Sequence, residues 1–302
     1  MKNKLFIVVL AAILSLSVCG CTTAESSSVT QTTSATGTTA TNAVASTDTA
    51  AATVTLQTQT ASFDTSGISQ TLSLMGTKSA QSVVYRQCLL RLEYEGNELA
   101  EYNINVDTVY GIAFALADID GDALTEIVVQ IDMGGNGGMG SYTQCVLKYD
   151  AAHKSFLELL KIDVPIDTGF TALFQNNYKM NVINTYADYS RIVDVSQDDR
   201  DSYYNADGTY IREKADILLD TCYYFYPEDV NSDGTAEIKT LQYVSLNSRS
   251  DCVGLATTTL KYDTVESKFV VIEAAFNLPN EMPMDSVLTP FYGYPGAYPN
   301  IQ

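Results

Sequence analysis

Two short acidic stretches have the residue types and the spacing of a cation-binding loop. Side chains that carry oxygen stand at positions one, three, five and nine of each stretch, as Asp118, Asp120, Asp122 and Glu126 and again as Asp229, Asn231, Asp233 and Glu237. Calcium takes six to eight oxygen ligands from carboxylates, amides and backbone carbonyls. In a tight loop, side chains one, three and five can face one centre, the carbonyl of residue seven can join them, and residue nine can close the site. Without a cation, the carboxylates of such a loop would repel one another.

Neither stretch is an EF-hand loop. The EF-hand requires a bidentate Glu at position twelve, where this chain has Val129 or Thr240. Residues 127–131 and 238–244, which follow the two loops, contain many apolar and β-branched side chains and are predicted to be strands. Each loop is therefore expected to connect the two strands of a hairpin. The competing interpretation is a pair of Asx turns that hold no metal.

The loops and the strands around them resemble a known repeat. The pattern strand, D-x-[DN]-x-D-x-x-x-[DE], strand resembles the FG-GAP/VCBS repeats, whose calcium loops occur in integrin alpha-chain propellers and in many bacterial surface proteins. The resemblance covers the two hairpins and the hairpin that follows each. It implies two Ca2+ sites, formed by Asp118, Asp120, Asp122, the Leu124 carbonyl and Glu126, and by Asp229, Asn231, Asp233, the Thr235 carbonyl and Glu237. The first loop departs from the family in having Ala123 where glycine is usual, and the second has one carboxylate fewer.

The internal repeat extends beyond the acidic loops. The two loops are separated by 111 residues, and the sequence LKYD at residues 147–150 recurs 113 residues later at 260–263. Large and small side chains alternate from Tyr110 to Ala117, which predicts a strand that packs closely on its small side. Each unit is thus predicted to be a four-stranded antiparallel meander, the shape of a propeller blade.

The predicted fold is mainly β, with one N-terminal helix. The apolar residues between positions 79 and 94 are interpreted as a helix, which Gly96 would end. The repeat units are predicted at about 78–165 and about 170–276, with additional strands at the start of the second unit. The tail after Asn277 is rich in Pro and Tyr and is predicted to be extended, with its aromatic side chains packed along the sheet.

Residues 1–20 have the features of a signal peptide. Lys2 and Lys4 precede an apolar run that is too short to span a bilayer. Gly20 followed by Cys21 resembles a bacterial lipobox, which implies cleavage before Cys21 and attachment of diacylglyceryl lipid to its thiol. The alternative is an ordinary secretory signal. Residues 21–62 are rich in Thr, Ser and Ala and are predicted to be a disordered tether, so that residues 63–302 form an ectodomain outside the cell membrane.

Several functions are disfavoured by composition and by motif context. The formal net charge of −19 at pH 7 argues against nucleic-acid binding. Residues 135–140 match G-x-G-x-x-G, but a strand rather than a helix is predicted after them, so no nucleotide is expected. His153 is the only histidine, which removes most catalytic triads and any two-histidine metal site.

Four cysteines follow the signal region. An exported compartment permits two disulfides among them, and buried free thiols are the other interpretation. These residues are Cys88, Cys145, Cys222 and Cys252.

We therefore expect an exported, lipid-anchored bacterial surface protein with calcium-stabilised β repeats, acting as a binding or adhesion module for a protein or a glycan. One alternative is a secreted hydrolase that uses paired Asp and Glu carboxylates. The other is a structural envelope protein without a dedicated ligand. No carboxylate pair outside the loops stands out, so an enzyme is the less favoured interpretation. A deep cleft with two facing carboxylates would favour the hydrolase, and an exposed aromatic patch would favour the binding module.

Overall fold

The computed structural model describes residues 51–134, 141–162, 164–195, 201, 203–211, 218–246, 252–278 and 281. These residues belong to one compact unit, Asp48–Gln302. They form sixteen strands, and every pairing between these strands is antiparallel. The prediction of a mainly β, antiparallel fold is confirmed. Within the described residues, no helix is both long enough and apolar enough to cross a bilayer.

Several predictions concern residues outside the described part of the chain. They are the signal peptide at residues 1–20, the lipid attachment at Cys21, residues 21–50 of the tether, the glycine-rich stretch at 135–140 and the tail beyond residue 281.

The first sheet pairs four consecutive strands in chain order. They are β1 (Ala52–Ala61), β2 (Gln70–Lys78), β3 (Arg86–Tyr94) and β4 (Asn97–Ile104).

The predicted N-terminal helix at residues 79–94 is wrong, because most of this segment is strand β3. Cys88, Leu90 and Leu92 are buried at every second position, which is the period of a strand. The apolar residues just before the strand obscured this alternation. Gly96 does not end a helix; it lies in the two-residue turn between β3 and β4 with a φ of 79°, as a type I′ hairpin turn requires.

The end of the predicted tether is also ordered. Strand β1 lies within the range 21–62 and pairs along its length with β2. Composition did not reveal this strand, because only Gln57 of β1 is buried. The Gln57 side chain accepts a hydrogen bond from the backbone nitrogen of Phe114 (2.9 Å) and donates one to its backbone oxygen (2.7 Å). The strand is therefore held by its hydrogen bonds rather than by a large apolar face.

Two further sheets carry the acidic loops. The second sheet pairs its strands in chain order: β5 (Gly111–Ala117), β6 (Glu126–Asp132), β7 (Tyr142–Asp150) and β8 (Ser155–Leu160). A later sheet repeats this order with β13 (Tyr224–Glu228), β14 (Glu237–Ser245), β15 (Cys252–Asp263) and β16 (Lys268–Asn277). The short strand β12 (Leu218–Leu219) pairs with the far end of β14. This is the strand order that the sequence repeat predicted.

The remaining sheet has three strands. It consists of β9 (Phe170–Gln175), β10 (Lys179–Asn184) and β11 (Tyr189–Asp194), with β10 in the middle. Its buried residues Phe170, Met180 and Val182 share a cluster with residues of β14 to β16 such as Val244 and Phe276. This sheet therefore packs against the later of the two loop-bearing sheets.

The two loop-bearing sheets also pack against each other. Val128 and Val146 of the second sheet cluster with Phe225, Ile238 and Leu260 of the later sheet. The opposite face of the second sheet packs on the first sheet, as the cluster that contains Leu74, Leu90, Phe114 and Ile127 shows. Because the second sheet is covered on both faces, all of β6 except its last residue is buried. Within its sheet, β6 lies between β5 and β7.

The small face of β5 meets an aromatic side chain. Ala113 and Ala115 are buried, and Tyr226 of β13 packs against them. Alanine leaves the space that this ring fills, so the alternation of large and small residues in β5 follows from the packing of the two sheets.

The four cysteines are free thiols. Burial raises the pKa of Cys88 to about 11 and that of Cys222 to about 12. Of the two interpretations, the structure has free thiols and not disulfides, with Cys88, Cys145 and Cys222 buried and Cys252 partly buried.

Candidate metal centre

The first acidic loop connects β5 to β6 and is organised by its own carboxylates. Asp118 accepts hydrogen bonds from the backbone nitrogens of Gly121 (2.7 Å) and Ala123 (2.8 Å). Glu126 accepts a hydrogen bond from the backbone nitrogen of Ile119 (2.7 Å). These bonds satisfy backbone donors that a sharp turn would otherwise leave unpaired.

The second loop connects β13 to β14 and repeats this pattern, except that Asp229 bonds to positions five and six where Asp118 bonds to positions four and six. Asp229 accepts hydrogen bonds from the backbone nitrogens of Asp233 (3.1 Å) and Gly234 (2.9 Å). Glu237 accepts a longer hydrogen bond from the backbone nitrogen of Val230 (3.4 Å). The repeat of 111 residues thus corresponds to a repeated loop structure. Asx turns, on which the competing interpretation depends, occur in both copies: Asp122 accepts a hydrogen bond from the backbone nitrogen of Leu124 and Asn231 accepts one from that of Asp233, both over 2.9 Å.

The backbone of the two loops is equivalent as well. Positions four and six have positive φ in both: Gly121 (77°) and Ala123 (65°) in the first, Ser232 (62°) and Gly234 (94°) in the second. Each loop has glycine at only one of these positions, and the other residue adopts a conformation that L-residues disfavour. The hydrogen bond from the backbone nitrogen of Ala123 to Asp118 helps to hold Ala123 in place, and in the second loop Asp229 accepts from the residue that follows Ser232.

The two loops lie side by side. The backbone nitrogen of Ala236 donates a hydrogen bond to the backbone oxygen of Asp118 over 2.7 Å. A Cβ atom added to Gly121 would lie 3.2 Å from Oγ1 of Thr235. Residues of one predicted site therefore contact residues of the other directly.

The predicted ligands of the first loop converge only in part. One oxygen each of Asp118, Asp120 and Glu126 lie within 4.8 Å of one another. Glu126 is fully buried, and neither its Oε1 nor Oδ1 of Asp120 has a hydrogen-bond partner. Burial raises the pKa of Glu126 to about 7. Three of the five predicted groups thus form an oxygen-rich cluster with acceptor capacity to spare.

The other two predicted groups stand differently. Asp122 is exposed, and its Oδ1 accepts a hydrogen bond from the backbone nitrogen of Leu124 (2.9 Å). Burial alone would raise the pKa of Asp122, but the hydrogen bonds from Lys148 and Leu124 outweigh that effect and lower it. The described hydrogen bond of Leu124 is thus donated by its backbone nitrogen, whereas the predicted metal ligand was its backbone carbonyl.

A lysine that the metal prediction did not include lies among these carboxylates. Nζ of Lys148, on β7, is 2.5 Å from Asp120, 2.7 Å from Asp122 and 3.3 Å from Oε1 of Glu126. Burial disfavours the charged form, but the hydrogen bonds that the ammonium donates to Asp120 and Asp122 raise the pKa of Lys148. The sequence feature that could have identified Lys148 is the repeated LKYD sequence. Its lysine was interpreted only as part of the internal repeat and not as part of the predicted metal site.

The predicted ligands of the second loop are also close to one another. Nδ2 of Asn231 donates a hydrogen bond to Asp233 (3.0 Å), and Asp233 accepts another from the backbone nitrogen of Thr235 (2.8 Å). Glu237 is buried, as Glu126 is. Lys261, the counterpart of Lys148, lies 3.7 Å from Oε1 of Glu237. The hydrogen bond between Thr235 and Asp233 uses the backbone nitrogen of Thr235, whereas the predicted metal ligand was its carbonyl.

The hydrolase alternative requires two free carboxylates in a cleft. A groove of about 510 Å³ is lined by Asp167 and Asp220, with Gln144 and Gln242 nearby. Asp167 accepts hydrogen bonds from the backbone nitrogen of Gly169 (2.9 Å) and from the Tyr186 hydroxyl (2.6 Å). With both its oxygens engaged, this carboxylate is unsuited to act as a general acid or base, so the groove does not favour hydrolysis.

The chain is similar to a bacterial protein named YybI. Residues 168–277, which include β9 to β16 and the second loop, match the family model described as the YybI C-terminal domain. The "Uncharacterized protein YybI" of Bacillus subtilis (strain 168) is 24% identical over 205 residues, which cover 65% of this chain and 75% of that protein.

Similarity to solved structures is weaker. The rhamnogalacturonan lyases YesW and YesX match with TM-scores of 0.36 and 0.33 and identities of 10% and 11%. The matches cover 79% and 75% of this chain and 36% and 33% of the two lyases. The chain thus spans about a third of the length of these structures, and similarity at this level supports no conclusion about substrate or activity.

The suspected assignment to FG-GAP/VCBS repeats is wrong. The family model that matches the region of the second loop is that of the YybI C-terminal domain, and the relative in Bacillus subtilis is YybI. The physical reason for the error is that the motif is short. Acidic residues at alternate positions also arise wherever Asx turns organise a tight hairpin loop, and both loops here contain such turns.

Proposed function

We propose that this protein is an exported, lipid-anchored binding module whose two acidic loops hold Ca2+. The calcium part rests on one observation: the buried Glu126 carboxylate lies within 4.8 Å of oxygens of Asp118 and Asp120, and its Oε1 accepts no hydrogen bond, although the Lys148 ammonium lies 3.3 Å away. A buried carboxylate is costly unless a cation or hydrogen-bond donors compensate it. A donor set of carboxylate, amide and carbonyl oxygens suits Ca2+ better than a metal that prefers thiolate or imidazole.

The role of calcium in this proposal is structural. The residues that would hold it are those at the predicted ligand positions of the two loops, from Asp118 to Glu126 and from Asp229 to Glu237. A bound divalent cation would neutralise carboxylates that repel one another within and between adjoining loops. It would thereby hold the hairpin β5–β6 and the hairpin β13–β14 in their mutual arrangement.

Thermal unfolding with calcium and with excess chelator tests this role. Calcium at about a hundredfold over its dissociation constant stabilises the folded state by about 2.7 kcal/mol per site. Each of Glu126→Gln and Glu237→Gln should remove part of the resulting shift in Tm. Glu266→Gln, at an exposed hairpin turn, should leave the shift unchanged. The absence of any shift, together with no heat of binding in a calcium titration, would show that the loops are acidic turns only.

The binding role is supported by exposed aromatic rings. Tyr110 and Tyr186 are 50% and 56% exposed, and each ring lies against a glycine, Gly134 or Gly169, with positive φ. Tyrosine rings fixed in this way present flat apolar surface, which glycans and proteins both use as contact area. We take the two meanders to be blade-like units that carry such surfaces.

A retention assay separates this role from that of a structural envelope protein. The purified chain should be retained on immobilised cell-wall polysaccharide or on a defined glycan panel, and Tyr110→Ala with Tyr186→Ala should weaken retention. Leu173→Ala, which changes an exposed residue of β9, serves as the control. If the tyrosine substitutions do not affect retention, Tyr110 and Tyr186 are excluded as the binding surface. If the unsubstituted protein is not retained at all, the structural role is favoured.

Lipid attachment is tested separately. In cells that produce the full chain, Cys21→Ala should abolish incorporation of labelled fatty acid and move the protein to the aqueous phase of a detergent partition. Cys19→Ala should not. Labelling that survives Cys21→Ala would contradict the proposed lipid anchor.

A further inference from the structure

Lys148 occupies the position at which a cation would neutralise the first loop. Its ammonium contacts Asp120, Asp122 and Glu126 at distances between 2.5 and 3.3 Å. Two of these are hydrogen bonds, from Nζ to Asp120 and to Asp122. The third, to Glu126, is an ion pair with a carboxylate that is fully buried.

The equivalent lysine in the second loop is placed differently. Lys261 forms its described ion pair with Glu237 alone, over 3.7 Å, which is longer than any of the three contacts of Lys148. The side chain of Lys261 is 44% exposed, whereas that of Lys148 is 19% exposed. Lys261 therefore lies at the border of its loop, and Lys148 lies inside its own.

An ammonium and a calcium ion require the same oxygens. Both cannot contact Asp120 and Glu126 at once, because the two positive charges would lie within a few ångströms of each other. The lysine is part of the chain, so its effective concentration at the loop is high and independent of dilution. Calcium must displace it before the carboxylates can become metal ligands.

We propose that Lys148 is a built-in competitor for calcium, so that the first loop binds calcium more weakly than the second despite its additional carboxylate. This inference rests on the proposed function, namely that the loops hold calcium. Without calcium, Lys148 stabilises the first loop by neutralising it. With calcium, the same side chain opposes binding. The second loop, whose lysine lies at its border, is the site that fills first.

The two roles of Lys148 predict effects of opposite sign. Lys148→Met removes the ammonium and keeps most of the apolar stem. In chelator, this variant should unfold at a lower temperature than the unsubstituted protein, because four carboxylates are then left without a cation. In calcium titrations, the same variant should bind the ion more tightly at the first loop. A lysine that is only a surface charge would produce neither effect.

Calcium titration of the full chain tests the competition. Glu237→Gln disables the second loop, and in this background Lys148→Met should raise calcium affinity by about tenfold, which corresponds to about 1.4 kcal/mol. Lys148→Arg keeps the charge and should leave calcium affinity within about threefold of the parent. That change corresponds to less than half of the free energy expected for Lys148→Met. Lys261→Met in the Glu126→Gln background should have the smaller effect, since Lys261 lies outside its loop. Circular dichroism and Tm confirm that each variant is folded.

The outcomes separate this inference from the proposed function. If calcium binds and Lys148→Met does not change its affinity, the competition is overturned and the calcium role stands. If the first loop of the parent binds calcium as tightly as the second, the inference also fails. If neither the parent nor any variant binds calcium, the proposed calcium role fails, and the inference that Lys148 competes with calcium fails with it. Should Lys148→Met not fold, Lys148→Gln, which retains a polar donor, replaces it.

Discussion

The backbone oxygen of Asp118 accepts a 2.7 Å hydrogen bond from the backbone nitrogen of Ala236. This bond joins the start of the first acidic loop to the end of the second. Because Ile119 and Ala236 also share an apolar cluster with Ile238, the two loops form one surface rather than two separate turns. A change in one loop is therefore expected to affect the other.

A glycine at the contact between the loops tests how tightly they are packed. Gly121→Ala introduces a side chain at positive φ, which costs about 1–2 kcal/mol, and places a Cβ atom 3.2 Å from Oγ1 of Thr235. Gly96→Ala is the matched control, since Gly96 has a similar φ of 79° and no atom near its Cβ position. Urea unfolding should show a larger loss of unfolding free energy for Gly121→Ala than for Gly96→Ala. Equal losses of unfolding free energy for the two variants would mean that Thr235 moves aside without cost.

Two residues at positive φ are predicted to be sites of easy stabilisation. Ala123→Gly and Ser232→Gly relieve the strain of a left-handed conformation, and each should increase the free energy of unfolding by roughly 0.5–1 kcal/mol after the added flexibility of glycine is counted. Ala151→Gly, at an exposed turn without positive φ, should be neutral or destabilising. A loss of stability at Ala123 would indicate that its methyl group makes contacts that outweigh the strain.

A buried glutamine connects the two loop-bearing sheets. Gln130 of β6 donates a hydrogen bond to the backbone oxygen of Tyr223 (2.6 Å) and accepts one from the backbone nitrogen of Phe225 (3.0 Å). Gln130→Leu would leave two buried backbone groups without these bonds, and we expect a loss of about 2–4 kcal/mol in chemical denaturation. The exposed Gln175→Leu should change stability by less than about 0.5 kcal/mol. A small loss for Gln130→Leu would indicate that water replaces the side chain.

The small face of β5 should not tolerate larger residues. Ala115 is 4% exposed and packs near Tyr226, so Ala115→Leu should destabilise the protein by about 1–3 kcal/mol through overpacking. Ala151→Leu, which changes an exposed turn residue, is the matched control. If both substitutions have the same effect in thermal unfolding, the contact between the two sheets is looser than described here.

The cysteines are expected to be protected by the fold. Burial raises the pKa of Cys88 to about 11 and that of Cys222 to about 12, so little thiolate is present at neutral pH and reaction with a thiol reagent is slow. The rate of modification should rise with pH, because the thiolate is the reactive form. In denaturant, Cys88, Cys145, Cys222 and Cys252 should all be modified without prior reduction. A requirement for reductant would demonstrate disulfides.

The strands that sequence reasoning located share a simple local pattern. Large and small residues alternate along β5, and β6 is buried on both faces, because one sheet surface meets the later loop-bearing sheet while the other meets the core of the first sheet. The helix predicted at residues 79–94 and the tether predicted over β1 failed for the opposite reason. The alternation in β3 is short and flanked by other apolar residues, and β1 buries only Gln57.

Local sequence therefore determined the two acidic loops, their equivalence and the antiparallel strands around them, because turn geometry and side-chain alternation depend on residues only a few positions apart. Tertiary structure decided which distant residues the loops contact. Lys148 is 26 residues beyond Asp122, and the backbone bond from Ala236 to Asp118 spans more than a hundred residues. Such contacts depend on which sheets pack together and in what register, and no periodicity within a single strand encodes them.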